Sequence, residues 1–262
     1  VYVVTSRNLY AIGPKERRVT EDAPISTLPT GAPGQPASVQ VVPTELVLAP
    51  GESVELTARL YDTHGRFVRN AKASWSLETL EGTIVNGRFT AESGGNPQAG
   101  KVVAEVSGLS GAARLRVIPP LPWKEDFEAI ETVHRHWINA TGKYEIREIE
   151  GNHVLVRTND NPFLRRARVY SGPSEWSNYV VEADVMARKR RRQMGNVGVV
   201  AQRYQLTLFG NHQKLELQSW QPETERTASV PFTWQGNSWY RMKLDVSTTS
   251  DGEVVAGGKV WP

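Results

Sequence analysis

A chain of 262 residues with 39% hydrophobic residues, 8 Trp and 8 Tyr carries enough apolar surface for two ordinary domains. Its net charge of +3 lacks the lopsidedness of a general polyanion binder, and no apolar run is long enough to cross a bilayer as a helix. The absence of cysteine excludes disulfides and thiolate metal sites, while 22 Gly and 16 Pro without long helical periods favour strands and turns.

The expected class is all-β. In residues 1–13, two short β-prone runs flank Ser6, Arg7 and Asn8, a hairpin pattern. Residues 14–36, with Pro24, Pro29, Pro33 and Pro36 among small polar residues, read as an extended linker. Residues 37–119 alternate: Val54, Leu56, Ala58 and Leu60 share one face of a strand, and Glu55, Thr57 and Arg59 the other. A turn at Asp62 to Gly65, a hairpin through Asn86 and Gly87, and further short strands predict a sandwich. Pro119, Pro120 and Pro122 form a stiff joint, which puts the domain boundary near residue 120. Residues 120–262 hold a second, larger set of about ten strands, among them Tyr179 to Met186 and Tyr240 to Val246.

Three resemblances attach to these segments. Residues 1–13 (VYVVTSRNLYAIG) resemble the closing strands of a blade in the PQQ-binding-like β-propeller repeat. One blade end forms no cofactor site, so no cofactor is implied. The second segment resembles bacterial Ig-like group 2 modules through Val42-Pro43, Leu46, Pro50-Gly51-Glu52, Asp62, Gly65, Trp75, Gly111, Leu115 and Val117. The third is similar to the concanavalin-like lectin/glucanase superfamily, including LamG-like and 3-keto-disaccharide hydrolase-like domains. The matching pieces are residues 125–128 (EDFE), Trp176 to Tyr179 running into Val180 to Asp184, and Trp239 to Leu244. These resemblances imply an Ig-like spacer before a jelly roll, exported to a bacterial cell surface, periplasm or exterior. The chain opens within a strand-like run and stops at Pro262, so it reads as a piece of a longer protein, its jelly roll short of a last strand.

Candidate sites are few. Jelly-roll glucanases of the laminarinase type carry E-x-D-x-x-E on one strand, and alternation sets Glu182 and Asp184 on one face, roughly 7 Å apart. The third carboxylate is missing, since position 187 is Ala and Met186 fills the in-register alternative. Without a proton donor the expectation is no catalysis. Trp220, beyond a strand whose core face takes Leu215, Leu217 and Ser219, is placed outside with Glu216 and Gln218. There it either stacks on a sugar ring or is covered by a loop or the other domain. Trp239 and Arg241 share a face of their own strand, and Arg203 sits at a tight strand junction. The candidate glycan site is therefore Trp220, Arg203, Trp239 and Arg241.

The run Arg188 to Arg192 reads as a solvated loop; without interleaved aromatics it does not suggest nucleic acid. His134 and His136 near Glu131 lack a third zinc ligand. Asn159, Asp160 and Asn161 suit a turn, with calcium ligation by main-chain oxygens as the alternative. The leading function is a non-catalytic binding or adhesion module for a polysaccharide or glycan. The alternatives are a structural subunit that self-associates through sheet edges, with residues 1–10 adding to an edge, and a fragment of a glycoside-acting enzyme.

Overall fold

The computed structural model describes the backbone of residues 2–4 and 9–11 and, with their side chains, residues 31–94, 96–158, 167–219 and 226–262. These residues hold strands and no helix, so the expected all-β class is what the chain adopts. They fall into two compact units, one within Asp22–Pro173 and the other comprising the N-terminal strands with Ser174–Pro262. The sequence-based boundary near residue 120 lies inside the first unit.

At the N-terminus, β1 (Tyr2–Val4) and β2 (Leu9–Ala11) pair with each other, Val3 opposite Tyr10. Among the described residues they join no other sheet, so the edge pairing expected within the chain is not formed. Ser6, Arg7, Asn8 and the linker up to residue 30 lie outside the described residues.

In the first unit, β3 (Ser38–Val42), β6 (Thr57–Tyr61) and β7 (Phe67–Ala71) make one sheet. A second joins β5 (Ser53–Glu55), β10 (Arg88–Ala91) and β9 (Gly82–Val85). The largest runs β4–β12–β11–β8, from β4 (Glu45–Leu48) and β12 (Leu109–Val117) to β11 (Gln98–Val106) and β8 (Ser74–Glu78). Alternation drives the packing: Val39, Val41, Ala58, Leu60, Phe89, Val102, Ala104, Ala113, Leu115 and Val117 point into one core. The hairpin between β9 and β10 turns through Asn86 and Gly87, both at positive φ as a two-residue type I′ turn requires. At the predicted turn the carboxylate of Asp62, only 4% exposed, accepts N–H bonds from Gly34, His64 and Arg66 and a guanidinium bond from Arg66. Four donors account for a charge buried at that corner. The unit also holds a hairpin of β13 (Tyr144–Ile149) and β14 (Asn152–Arg157), and an isolated bridge between Ile138 and Tyr170.

In the second unit, β15 (Tyr179–Met186), β22 (Trp239–Thr248) and β23 (Val254–Trp261) form a three-stranded sheet in the order β15–β22–β23. Four more strands run in sequence as a meander: β18 (Val197–Ala201), β19 (Tyr204–Phe209), β20 (Lys214–Ser219) and β21 (Thr227–Pro231). Val185, Val199, Ala201, Leu206, Leu208, Tyr240, Met242, Leu244 and Val246 from the two sheets share one core. The run Arg188 to Arg192 is no plain loop. β16 (Lys189–Arg190) and β17 (Gln193–Met194) pair around it, with Arg191 at positive φ, and the five side chains stay exposed.

Candidate functional site

The side chains of β22 alternate without a break. Tyr240, Met242, Leu244 and Val246 are buried, which leaves Trp239, Arg241, Lys243 and Asp245 on the opposite face. Register then composes that face. Asp184 of β15 and Trp261 of β23 stand opposite Arg241 on its two sides, and Glu182 and Lys259 flank Lys243 in the next row. Trp239, two residues from Arg241, is a diagonal neighbour of Trp261.

Arg241 donates from Nε to Oδ1 and from Nη2 to Oδ2 of Asp184, at 2.7 and 2.6 Å. Lys243 stands 3.3 Å from Glu182. The Arg241 hydrogen bond, helped by the Arg241 charge, holds the Asp184 carboxyl below the usual carboxylate range against the opposing effect of burial, and the same contact raises the guanidinium. Both carboxylates of the E-x-D pattern are thus engaged by cations. Trp239 is 37% exposed, and the ammonium of Lys259 lies 5.1 Å from the Trp261 ring centroid. Asp184, Trp239, Tyr240, Arg241, Trp261 and Pro262 border a hollow of about 280 Å³.

Chemically this is a platform with two indoles around a forked ion pair. Indole faces accept the C–H face of a sugar ring, and the remaining donors and lone pairs of the ion pair match ring hydroxyls. Of the sequence-predicted residues, Trp239 and Arg241 meet here. Arg203 is exposed in the turn between β18 and β19, so it belongs to the other sheet. Trp220 lies outside the described residues. Trp261 was missed, although Lys259 and Trp261 follow the period-2 pattern that found Trp239 and Arg241.

The histidines of the first unit are arranged differently from the H-x-H reading. His134 Nε2 is 2.5 Å from Glu125 Oε2, so its acidic partner is Glu125 rather than the exposed Glu131. His134 and His136 stack with centroids 4.6 Å apart. His136 is 5% exposed; burial first, then the charges of His134 and Arg116, push it down to about 4, with Glu125 opposing. Among the described residues no group of three or more His, Cys, Asp or Glu side chains is placed to hold a metal ion. Asn159, Asp160 and Asn161 lie outside the described residues. No protein-family model and no curated protein matches the chain.

Proposed function

We propose that this chain is a non-catalytic glycan-binding module of an exported bacterial protein, with an Ig-like spacer ahead of a concanavalin-like jelly roll that presents the ligand surface. The observation that carries the reading is the outer face of the β15–β22–β23 sheet. It sets Trp239 and Trp261 about the Arg241–Asp184 pair on the border of one hollow. Aromatic faces with a few fixed polar groups are what a saccharide surface needs. Binding without hydrolysis is supported by the pairing of Glu182 with Lys243 and of Asp184 with Arg241, and by Ala187 at the place of a third carboxylate.

A glycan array probed with the intact chain tests this reading. Binding to a defined set of polysaccharides is expected, and Trp239→Ala and Trp261→Ala should each weaken it by about 1–2 kcal/mol, roughly tenfold. No binding across a broad array removes the function. Binding that both substitutions leave untouched removes the site.

A further inference from the structure

One set of charged side chains in the second unit has no counter-charge. Arg188, Lys189, Arg190, Arg191 and Arg192 are all exposed, and none pairs with a carboxylate among the described residues. β16 and β17 gather them into one hairpin, Lys189 opposite Met194 and Arg190 opposite Gln193, with Arg191 and Arg192 at the turn. Like charges held this close repel one another, and a polyanion laid across them relieves the repulsion.

The hairpin is fixed at its base. Asn237 donates its N–H to the Ala187 carbonyl at 2.8 Å, and its Oδ1 accepts the Lys189 N–H at 3.1 Å. On the other leg Met194 is buried in the core, and its N–H donates to Asn211 Oδ1 at 2.9 Å. Gly236 allows the close approach: an added Cβ there would meet Lys189 Cβ at 2.6 Å and Met194 Sδ at 3.1 Å. Cations on a backbone already held in place lose less freedom on binding than cations on a free segment.

Position gives the charge its meaning. Met186 stands opposite Trp239, and Asn237, which anchors the hairpin, lies two residues before Trp239. Val185 and Ala187 are buried, so Asp184, Met186 and Arg188 take the alternate positions and lead from the Trp239–Trp261 platform to the hairpin. Met186 and Arg190 are four residues apart, at most about 14 Å of chain. A short oligosaccharide spans that distance. The two surfaces differ in charge, however. On the platform Arg241 pairs with Asp184 and Lys243 with Glu182, while Lys259 and Asp245 add one charge of each sign. Carboxylates within the platform disfavour an anionic group there, and the uncompensated cations beyond it favour one.

We propose that the ligand is an acidic polysaccharide with uronate or sulfate groups on some rings and neutral rings between them. A neutral ring lies on Trp239 and Trp261, and acidic rings beyond it meet the hairpin of residues 188–192. This rests on the glycan-binding reading above and names the class of glycan. A polynucleotide fits less well, since it is charged at every unit and would set phosphates beside Asp184 and Glu182. Its bases also need aromatic faces spaced along the cationic track, and residues 188–192 have none.

The test measures binding of the intact chain to hyaluronan and unsulfated chondroitin, in which uronate and neutral rings alternate. Polygalacturonate, dextran, single-stranded oligo(dT) and phosphatidylglycerol vesicles are the comparators. At least one alternating polymer should bind more tightly than every comparator. Raising NaCl from about 0.1 M to about 1 M should weaken that binding about tenfold, as the screening length falls. The triple variant Arg190→Gln, Arg191→Asn and Arg192→Gln should weaken it about tenfold and flatten its salt dependence, with the unfolding midpoint unchanged. Asn is chosen at position 191 for its tolerance of positive φ. If the triple variant does not fold, Arg190→Gln decides through a smaller fall of about threefold. No binding of either alternating polymer, or unchanged affinity in the folded variant, overturns the acidic class. The glycan array then decides the broader reading: hits confined to neutral glycans leave it standing, and no hits remove it too. Acidic binding that Trp261→Ala leaves untouched overturns the platform and the two-part ligand with it. Tighter binding of polygalacturonate, charged on every ring, overturns the mixed pattern. Tighter binding of oligo(dT) or of the vesicles overturns the polysaccharide.

Discussion

The guanidinium of Arg241 meets the carboxylate of Asp184 as a fork, two hydrogen bonds of 2.7 and 2.6 Å between neighbouring strands on an exposed face. About half of each side chain is open to solvent, so water competes for the pair and its share of fold stability is small. Its value lies in fixing a planar donor group on the face that also carries Trp239 and Trp261. Arg241→Lys keeps the charge and loses the fork. It is expected to leave the urea unfolding midpoint nearly unchanged and to weaken binding of any glycan found on the array about tenfold. A large fall in the midpoint with unchanged binding would make the pair structural.

The platform also depends on what lies beneath it. Gly258 sits on β23 where an added Cβ would meet Leu206 Cδ1 at 2.4 Å and Cδ2 at 2.9 Å. Leu206 is 1% exposed and held in the core, so it has little room to yield. Gly258→Val should destabilise the unit by about 1–3 kcal/mol through overpacking. Because the displaced strand also bears Trp261, glycan binding should fall with it. Gly257→Val, where an added Cβ meets nothing within 4 Å, is the control. Equal unfolding midpoints for the two variants would refute the packing account.

Much of this was legible in the sequence, because a strand's side-chain period is short and local. Alternation placed Val54, Leu56, Ala58 and Leu60, and it put Trp239 and Arg241 on one face. Asn86-Gly87 announced its own turn. Register was not legible. That Asp184 and Trp261 would both stand opposite Arg241 depends on pairing between β22 and strands 57 and 20 residues away in sequence, and no local pattern encodes which rows align. The same blindness grouped Arg203 with Trp239 and Arg241. Arg203 in fact turns between β18 and β19 of the other sheet.

Two separate cores make a further expectation concrete. Phe89 is fully buried in the first core, whose members all come from residues 39–117, and Met242 is fully buried in the second. Phe89→Ala should cost about 3–5 kcal/mol and Met242→Ala about 2–5 kcal/mol. Each should lower a different calorimetric transition. If either substitution moves the whole unfolding profile as one transition, the cores melt together.

The first unit should also show a two-stage loss of stability in acid. An unfolded chain binds the His136 proton near pH 6.5, whereas in the folded protein burial, with His134 and Arg116 nearby and Glu125 opposing, lowers that value to about 4. Between those values the unfolded state holds more protons, so stability falls as pH drops and the slope vanishes below about 4. The shift bounds the loss at about 3 kcal/mol. Asp62 acts in the next window. Its carboxyl is held far below the usual range, first by the Gly34 N–H and then by the donors of Arg66 and His64, with burial opposing. Its contribution is therefore complete above about pH 4, where the unfolded carboxyl is ionised too, and is lost on further acidification. Urea unfolding at half-unit steps from pH 7 to pH 3 separates the two. His136→Asn should flatten the slope between pH 6.5 and 4 and leave the fall below pH 4 in place. Asp62→Asn should lower stability at neutral pH and remove much of the fall below pH 4. An unchanged slope above pH 4 in His136→Asn would mean that His136 titrates in the folded protein as it does in the unfolded chain, and that its burial is not felt as a charge penalty.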